Sequence, residues 1–407
     1  MAKAKKWFQR KGAVAVTLAF LLIPMLLFVA LCVDIGWITK AKSELQNASD
    51  AAAAAGAAKL MDNYSASVLP IQPNYNSIVT SAKNSASSYV MQYGRYNGAG
   101  NVNSLQILQG DIQYGFTDAS GAYNPNYTGY PNTVRVMGRL DPTANGSLPL
   151  FFGGITGRDK SALTAFSNAT IYTGVINSFD PNSGSWGDTS NGSCHCNHPC
   201  LLLPVAFDIN SWKQFFASGV SPDGVVHTDS TGAAQIQIYP SPQMAPGNFG
   251  LLCIGPWTNS DAIYADWVEY GPSASDIQTL IDEGKLPTSE SNPKSWKGSP
   301  GLRNTLRKQF IDIIGMPRLL PLFIPASQNP YQAASGVGSN ASYKIAAFAG
   351  VKVTSVTGNG TNLNITVQPY DVLDPTALYD SSTICPVGTE PPAQMKSFTH
   401  TAPKLTQ

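Results

Sequence analysis

The chain has 407 residues and a net charge of +1, and charged residues make up 13% of it, about half the usual share. Five of the 26 basic residues lie in the first eleven positions, which contain no acidic residue, so the remainder has 21 basic and 25 acidic residues. The body therefore lacks the basic surface that binds nucleic acid. The abundance of Gly, Pro, Ser and Asn, with 10% aromatic residues, favours turn-rich β domains outside the cytoplasm over a cytosolic enzyme or a disordered chain.

An uncharged apolar stretch follows the basic lead. It begins at Ala13 and ends at Val33, and its 21 residues would span about 31 Å as a helix, which matches a hydrocarbon core of roughly 30 Å. The stretch is longer than the core of a secretory signal, and no convincing cleavage site follows it. Because the cations precede it, we predict a single-pass helix in the cytoplasmic (inner) membrane, with the N-terminus inside. The body would then be exported to the periplasm or the cell surface.

The helical pattern continues beyond this span. Apolar residues recur at helical spacing, and an alanine-rich stretch extends the pattern to residue 60. Small side chains allow another helix to approach closely. We therefore predict a helix-association face on the outer part of the helix, formed by Ile38, Ala41, Leu45, Ala48 and Ala52.

This N-terminal region resembles that of Tad (tight adherence) or Flp pilus-assembly proteins of the TadE/TadG type. The resemblance rests on KGAVAV, the apolar span, the D-x-G at Asp34 and Gly36, and SELQNASDAAAAAGA. It is strong over residues 9–60 and weaker over 132–172, which include PLFF, and over 245–255. It implies a non-enzymatic structural component of a pilus assembly or secretion apparatus, without a cofactor. Its partners would be membrane lipid and other Tad/Flp apparatus proteins, contacted through the N-terminal helix.

The residues around the leader's cleavage site distinguish two kinds of family member. Pilin-like members are cut after a glycine that precedes a glutamate by five residues. In this chain Gly12 matches the glycine, but Thr17 stands where the glutamate would be. We therefore predict an uncleaved, TadG-like protein that stays in the membrane rather than a pilin subunit.

Four further segments follow the first 60 residues in the predicted α+β fold. Residues 61–176 would form a pilin-like α+β domain, with a helix at 77–93 and strands at 105–108, 112–116, 133–140 and 163–172. Residues 177–200 read as a Gly/Ser/Cys-rich linker, and 371–407 as a flexible tail. Residues 201–370 would form a second exported, antiparallel β-rich domain. Its predicted strands lie at 202–207, 234–239, 250–255, 343–356 and 362–367, and its predicted helices at 209–218, 273–283 and 301–315. Residues 316–325 would form an edge strand or an extended segment.

Two alternative functions remain open. TadG-type relatives often carry a von Willebrand factor A domain, whose metal site needs Asp-x-Ser-x-Ser after a hydrophobic strand. Here such a strand ends at Asp208, but Asn210 and Trp212 replace the two serines, so the first alternative is an adhesion or ligand-binding module with a degenerate domain of this type. The second is a membrane-tethered enzyme with an unrecognised site, although HExxH, G-x-S-x-G and Walker motifs are absent.

A short cluster, CHCNHPC, holds the sharpest candidate for metal binding: Cys194, His195, Cys196, His198 and Cys200. Thiolates and imidazoles suit zinc and copper, but exported thiols usually oxidise. We therefore favour disulfides over a metal, and the odd number of exported cysteines leaves a free thiol or a bond between chains open. The disulfide candidates are Cys194, Cys196, Cys200, Cys253 and Cys385. His227 and His400 have no such companions and are predicted to be surface residues.

Overall fold

The computed structural model describes residues 11–183, 200–239, 251–258, 260–299, 304–325, 341–359, 363–391 and 394–406. Its helices are α1 (Lys11–Met61), α2 (Tyr64–Ser67), α3 (Tyr75–Arg95), α4 (Gly153–Thr156), α5 (Ile209–Ser218), α6 (Asp261–Glu269), α7 (Ala274–Asp282) and α8 (Arg307–Asp312). Short 3-10 turns lie at Gln109–Asp111, Asn304–Leu306 and Ser381–Thr383.

The strands of the described part are mostly short. They are β1 (Ile112–Thr117), β2 (Tyr123–Asn124), β3 (Thr133–Leu140), β4 (Leu148–Pro149), β5 (Lys160–Ser161), β6 (Leu163–Thr170), β7 (Tyr172–Thr173), β8 (Ile176–Phe179), β9 (Phe207–Asp208), β10 (His227–Thr228), β11 (Ala234–Tyr239), β12 (Leu251–Leu252), β13 (Lys294–Ser299), β14 (Pro317–Ile324), β15 (Ser342–Thr357), β16 (Asn364–Pro369), β17 (Ala377–Tyr379), β18 (Cys385–Pro386) and β19 (Lys404–Thr406). The chain is an α+β protein in which a long apolar helix precedes a β-rich region with several helices, as the sequence predicts.

Helix α1 has two halves with opposite surroundings. From Val16 to Val33 nearly every side chain is exposed, although this half is apolar all round. From Ala41 onwards one face is fully buried at helical spacing, through Leu45, Ala48 and Ala52. The helix runs without a break through both halves, so 51 residues would form a rod about 77 Å long.

The first sheet forms a layer against the second half of α1. Its five strands are antiparallel, in the order β19-β6-β3-β1-β2. Helix α3 packs on α1 with Ala82, Ala86 and Val90 buried. Small residues allow these elements to approach closely, since a side chain at Gly56 of α1 would overlap Val90 of α3. The alanines of α1 therefore form a core against a sheet and a helix of the same chain.

The second sheet is built on one long strand, β15, which pairs with β13, β14 and β16. Its order is β10-β11-β16-β15-β13-β12, and β14 lies off this path, where it pairs with β15 and β9. All pairs are antiparallel except β9 with β14. The predicted strand at 316–325 corresponds to β14, but β14 lies between β15 and β9 and is not an edge strand. Its buried apolar residues from Leu319 to Phe323 explain this interior position.

The C-terminal segment differs from the predicted flexible tail. Strands β17 and β18 form two-stranded sheets with β8 and β7, and β19 pairs with β6 at the edge of the first sheet. Its composition is polar, but Val372, Val387, Met395 and Phe398 are buried. These buried apolar residues therefore attach the C-terminal segment to the body, although its polar composition predicts a flexible tail.

Helix α6 and strand β13 were not predicted. Helix α6 buries Tyr264, Trp267 and Val268, whose spacing is helical. Strand β13 begins at Lys294 and pairs with β15 across the chain. Pairing of this kind depends on residues far apart in sequence, which a local pattern does not contain.

Candidate functional site at the membrane-proximal end of helix α1

The exposed half of α1 has the properties of a membrane span. It is the one helix in the described ranges that is long and apolar enough to cross a membrane, and almost none of it is buried within the chain. Phe20 and Phe28 are each 72% exposed. Large apolar side chains on every side of a helix require an apolar environment in place of water. The predicted span from Ala13 to Val33 lies within this half.

A loop of the body binds the end of this span. Residues 150–159, named here the membrane-proximal loop, connect β4 to β5 and contain the short helix α4. Asp34, the first charged residue of α1 after the span, accepts hydrogen bonds from the backbone N–H groups of Phe151 (2.8 Å) and Phe152 (3.1 Å). The carboxylate is nearly buried at this contact. A single acidic side chain therefore fixes the loop to the helix where the span ends.

Trp37 provides a second attachment one turn further along. Its indole Nε1 donates to the carbonyl oxygen of Pro149 at 3.1 Å, and its ring lies 5.6 Å from that of Phe151. The ammonium group of Lys40 lies 5.6 Å from the same indole. Indole and ammonium groups are favoured at the polar edge of a bilayer. The contact thus has the composition of a membrane interface.

Between the loop and the helix lies an open apolar groove of about 550 Å³. The helix contributes Leu27, Leu31 and Ile35 to its walls, and the loop contributes Phe152 and Ile155. In the sequence, D-x-G and PLFF are separate features of the chain. In the structure they meet across 117 residues, which no local pattern indicates.

The predicted helix-association face requires correction. Ala41, Leu45, Ala48 and Ala52 are at most 1% exposed, and Ile38 is half-buried. These residues pack within the chain, where α1 contacts β3 and β6. The periodicity identifies the buried side of the helix, but this protein's own first sheet and helix α3 cover α1. A partner that contacts the helix must use another part of it.

Asp208 ends its strand as predicted but caps a helix instead of forming a metal site. Its Oδ1 accepts from the backbone N–H of Asn210 at 2.8 Å, and its Oδ2 accepts from the hydroxyl of Ser211 at 3.1 Å. Trp212 points into the core and its Nε1 donates to the carbonyl oxygen of Lys396. Within the described residues no group of three or more His, Cys, Asp or Glu side chains could hold a metal ion. In this structure Asp208 is therefore the N-cap of α5.

We expect the substitution Asp208→Asn to change how stability depends on pH. Burial raises the pKa of Asp208, so the folded protein binds a proton there more tightly than the unfolded chain, whose Asp pKa is about 3.9. Stability from this group is complete below that value and is lost as pH rises through the folded pKa. Asparagine caps helices equally well and carries no charge. As pH rises through the acid range, the wild type should therefore lose stability that the variant keeps. The free energy of unfolding of the variant minus that of the wild type should increase with pH and then remain constant.

Urea titrations at a series of pH values measure this difference. Asp208→Ala is the control, because it removes the cap as well as the charge and should cost about 1 kcal/mol relative to Asp208→Asn. A stabilisation by Mg²⁺ that requires Asp208 would contradict the capping role and restore the adhesion-site alternative.

The Cys/His cluster can be placed only in part. Cys194, His195, Cys196 and His198 lie outside the described residues. Cys200 and Cys253 are buried free thiols, and Cys385 is a half-buried one. Burial raises the pKa of the Cys200 thiol beside Asp374. The prediction of disulfides among these cysteines therefore stays a prediction.

The two histidines differ from the predicted surface positions. His400 is completely buried, and its Nε2 donates to Asp371 Oδ1 at 2.7 Å. His227 is partly buried and contacts Asp223 at 2.5 Å. Both imidazoles contact carboxylates. The surface prediction considered only neighbouring Cys and His residues and therefore did not include these partners.

The described geometry defines a class of protein. The first half of its long N-terminal helix has the length and composition of a membrane span, and the second half forms part of the core of an α+β body. Residues 12–59 match the family described as putative Flp pilus-assembly TadE/G-like, which confirms the predicted resemblance for this segment. The match covers both halves of α1, including Asp34 but not the loop that Asp34 binds, and it supports a pilus-related role and membrane anchoring. No curated protein and no solved structure matches the chain.

Proposed function

We propose that this protein is a non-enzymatic structural component of a Tad/Flp-type pilus assembly or secretion apparatus, anchored in the inner membrane by the first half of α1. The family match over residues 12–59 carries this proposal, because it covers the segment in which the span becomes the core of the body. The basic N-terminus remains in the cytoplasm and the body is exported, since the cations precede the span.

The continuity of α1 gives the proposal a mechanical basis. Leu45 and Ala52 are buried in the body, while Phe20 and Phe28 of the same helix are exposed in the span. An uninterrupted helix between these points transmits position and tilt from the membrane to the body, without the freedom of a linker. A component of this design holds its exported body in a defined place relative to other membrane proteins of the apparatus.

Contact with those proteins would use the exposed surfaces of the span, because the alanine-rich face of α1 is covered within the chain. Helices in lipid associate through packing and hydrogen bonds rather than through the hydrophobic effect. The partners are therefore expected to be other single-pass components of the same apparatus.

Release of the body from the membrane tests this proposal. We expect that replacing residues 1–33 by a cleavable secretory signal abolishes piliation in a host that lacks the native protein. This change leaves the buried face from Ala41 onwards in place, whereas deletion of 34–60 would also remove the core. Electron microscopy counts the pili, and cell fractionation locates the body.

The control replaces residues 13–33 by an unrelated single-pass apolar segment of equal length. This variant stays in the membrane, so restored piliation would mean that tethering alone is required, and failure would indicate specific contacts of the span. Normal piliation with the released body, or without the protein, would contradict the proposal.

A further inference from the structure

The membrane-proximal loop leaves large apolar side chains in the open. Phe151 is 67% exposed, Phe152 41% and Ile155 60%. Single exposed apolar residues are ordinary, but a contiguous group marks a surface that another apolar phase covers. The group lies directly beside the end of a helix that is itself apolar and exposed.

The loop is held in a defined conformation. Leu150 N–H donates to the carbonyl oxygen of Asp159 at 2.9 Å, and Arg158 N–H donates to that of Gly153 at 2.9 Å. A side chain at Gly153 would overlap the Arg158 carbonyl oxygen. Together with the contacts to Asp34 and Trp37, these bonds fix the direction in which the exposed side chains point.

The height of the loop coincides with the outer end of the span. Its anchor Asp34 directly follows the last uncharged residue of α1, and its groove extends back along the helix to Leu31 and Leu27. Both leucines belong to the stretch that must face lipid if α1 crosses the bilayer. The surface of the groove is therefore continuous with the lipid-facing surface of the helix.

Charge around the loop agrees with this position. Arg158 and Lys160 are exposed at the base of the loop, with Asp159 between them, and Lys40 lies on the adjoining turn of α1. Lysine and arginine extend their charged ends to the interface while their stems stay apolar. Arg158 itself lines the groove, so its stem would lie beside the acyl chains while its charged end reaches the headgroups.

We propose that the membrane-proximal loop inserts Phe151, Phe152 and Ile155 into the outer leaflet, where phospholipid acyl chains fill the groove beside α1. This inference rests on the proposed anchoring of α1 in the membrane. A single helix leaves the body free to tilt, whereas a second point of insertion holds it at one angle to the membrane surface. Large side chains line the groove, whereas helix pairs in membranes prefer small ones, which favours lipid over a partner helix.

Photo-crosslinking in the full-length protein, reconstituted into phosphatidylcholine/phosphatidylglycerol vesicles, tests the insertion. p-Benzoylphenylalanine replaces one residue at a time: Phe20 in the span, Phe151 or Ile155 in the loop, or Phe166 on the body. Phe166 is the matched control, because it is 59% exposed and its carbonyl oxygen accepts from Gln46. Gln46 lies twelve residues beyond Asp34, which corresponds to about 18 Å further from the membrane along the helix. Mass spectrometry identifies the adducts.

We expect phospholipid adducts at positions 151 and 155 in yields comparable with position 20, and background yields at position 166. Lipid adducts at 20 but not at 151 or 155 would overturn the insertion and leave the anchored span intact. Adducts of positions 151 and 155 with another protein chain would also overturn it, in favour of a docked partner. No lipid adduct at position 20 would overturn the membrane span, and the insertion with it.

Discussion

We expect Gly56→Leu to destabilise the body by about 2–3 kcal/mol, because the site has no space for a side chain. Gly56 lies on α1 between α3 and β3, and a Cβ atom there would overlap the Val90 methyl group and lie 3.4 Å from Val134. Valine has a stiff side chain and cannot move aside within a helix. The better helix propensity of leucine offsets only about 1 kcal/mol. Urea unfolding of the full chain in detergent, followed by tryptophan fluorescence, measures the loss.

Gly36→Leu is a matched control on the same helix. No atom outside the neighbouring residues and the helix's own backbone lies within 4 Å of a Cβ placed at Gly36, so the substitution should leave stability unchanged or raise it by up to about 1 kcal/mol. Equal losses for both variants would mean that any larger residue disturbs α1, and that the packing of Gly56 against α3 and β3 is not the cause.

The contrast between these two glycines shows what a sequence pattern can and cannot establish. Helical spacing of small and apolar residues correctly identifies the face of α1 that becomes buried. It does not specify what covers that face, because a helix of another protein and a sheet of the same chain require the same small residues. The strands that pack on α1 are β3 and β6, and the first of them begins at Thr133, more than eighty residues after Ala52.

Local signals predict the elements that depend on them. Helix α5 begins after Asp208, whose side chain caps it, and α7 begins after Ser273, whose hydroxyl forms a capping box with Asp276. Both caps act over three residues and are visible in the sequence. Strand β13 has no such local signal, and its pairing with β15 was not predicted.

In the candidate site too, features with a local signal could be predicted, and contacts between distant residues could not. The length of the uncharged stretch predicts the span, because bilayer thickness sets the required length. The attachment of the loop could not be predicted, since Asp34 and Phe151 belong to two separate features of the resemblance, and nothing local in the sequence connects them. An unusual signal was nevertheless present, because PLFFGGI places four large apolar residues within a turn-rich segment that has no alternating pattern.

Substitution of His400 should have an even larger effect on stability than that of Gly56. His400→Ala leaves the buried carboxyl group of Asp371 without its imidazole partner, and removing one member of a buried pair costs about 3–5 kcal/mol. The Oδ2 atom of Asp371 also accepts from the backbone N–H of Ser65 at 2.6 Å, so the pair joins α2 to the C-terminal segment. We expect faster hydrogen exchange in β17, β18 and β19, together with a lower urea midpoint.

His227→Ala supplies the comparison, because His227 also contacts a carboxylate, that of Asp223, at 2.5 Å. The side chains of that pair are 28% and 18% exposed, whereas those of His400 and Asp371 are completely buried. Water screens the exposed pair, so its loss should cost about 1 kcal/mol or less. If both substitutions lowered the free energy of unfolding by the same amount, burial would not control the strength of these contacts. If His400→Ala left exchange in the C-terminal strands unchanged, that segment would be held by its strand pairing and apolar residues without help from the pair.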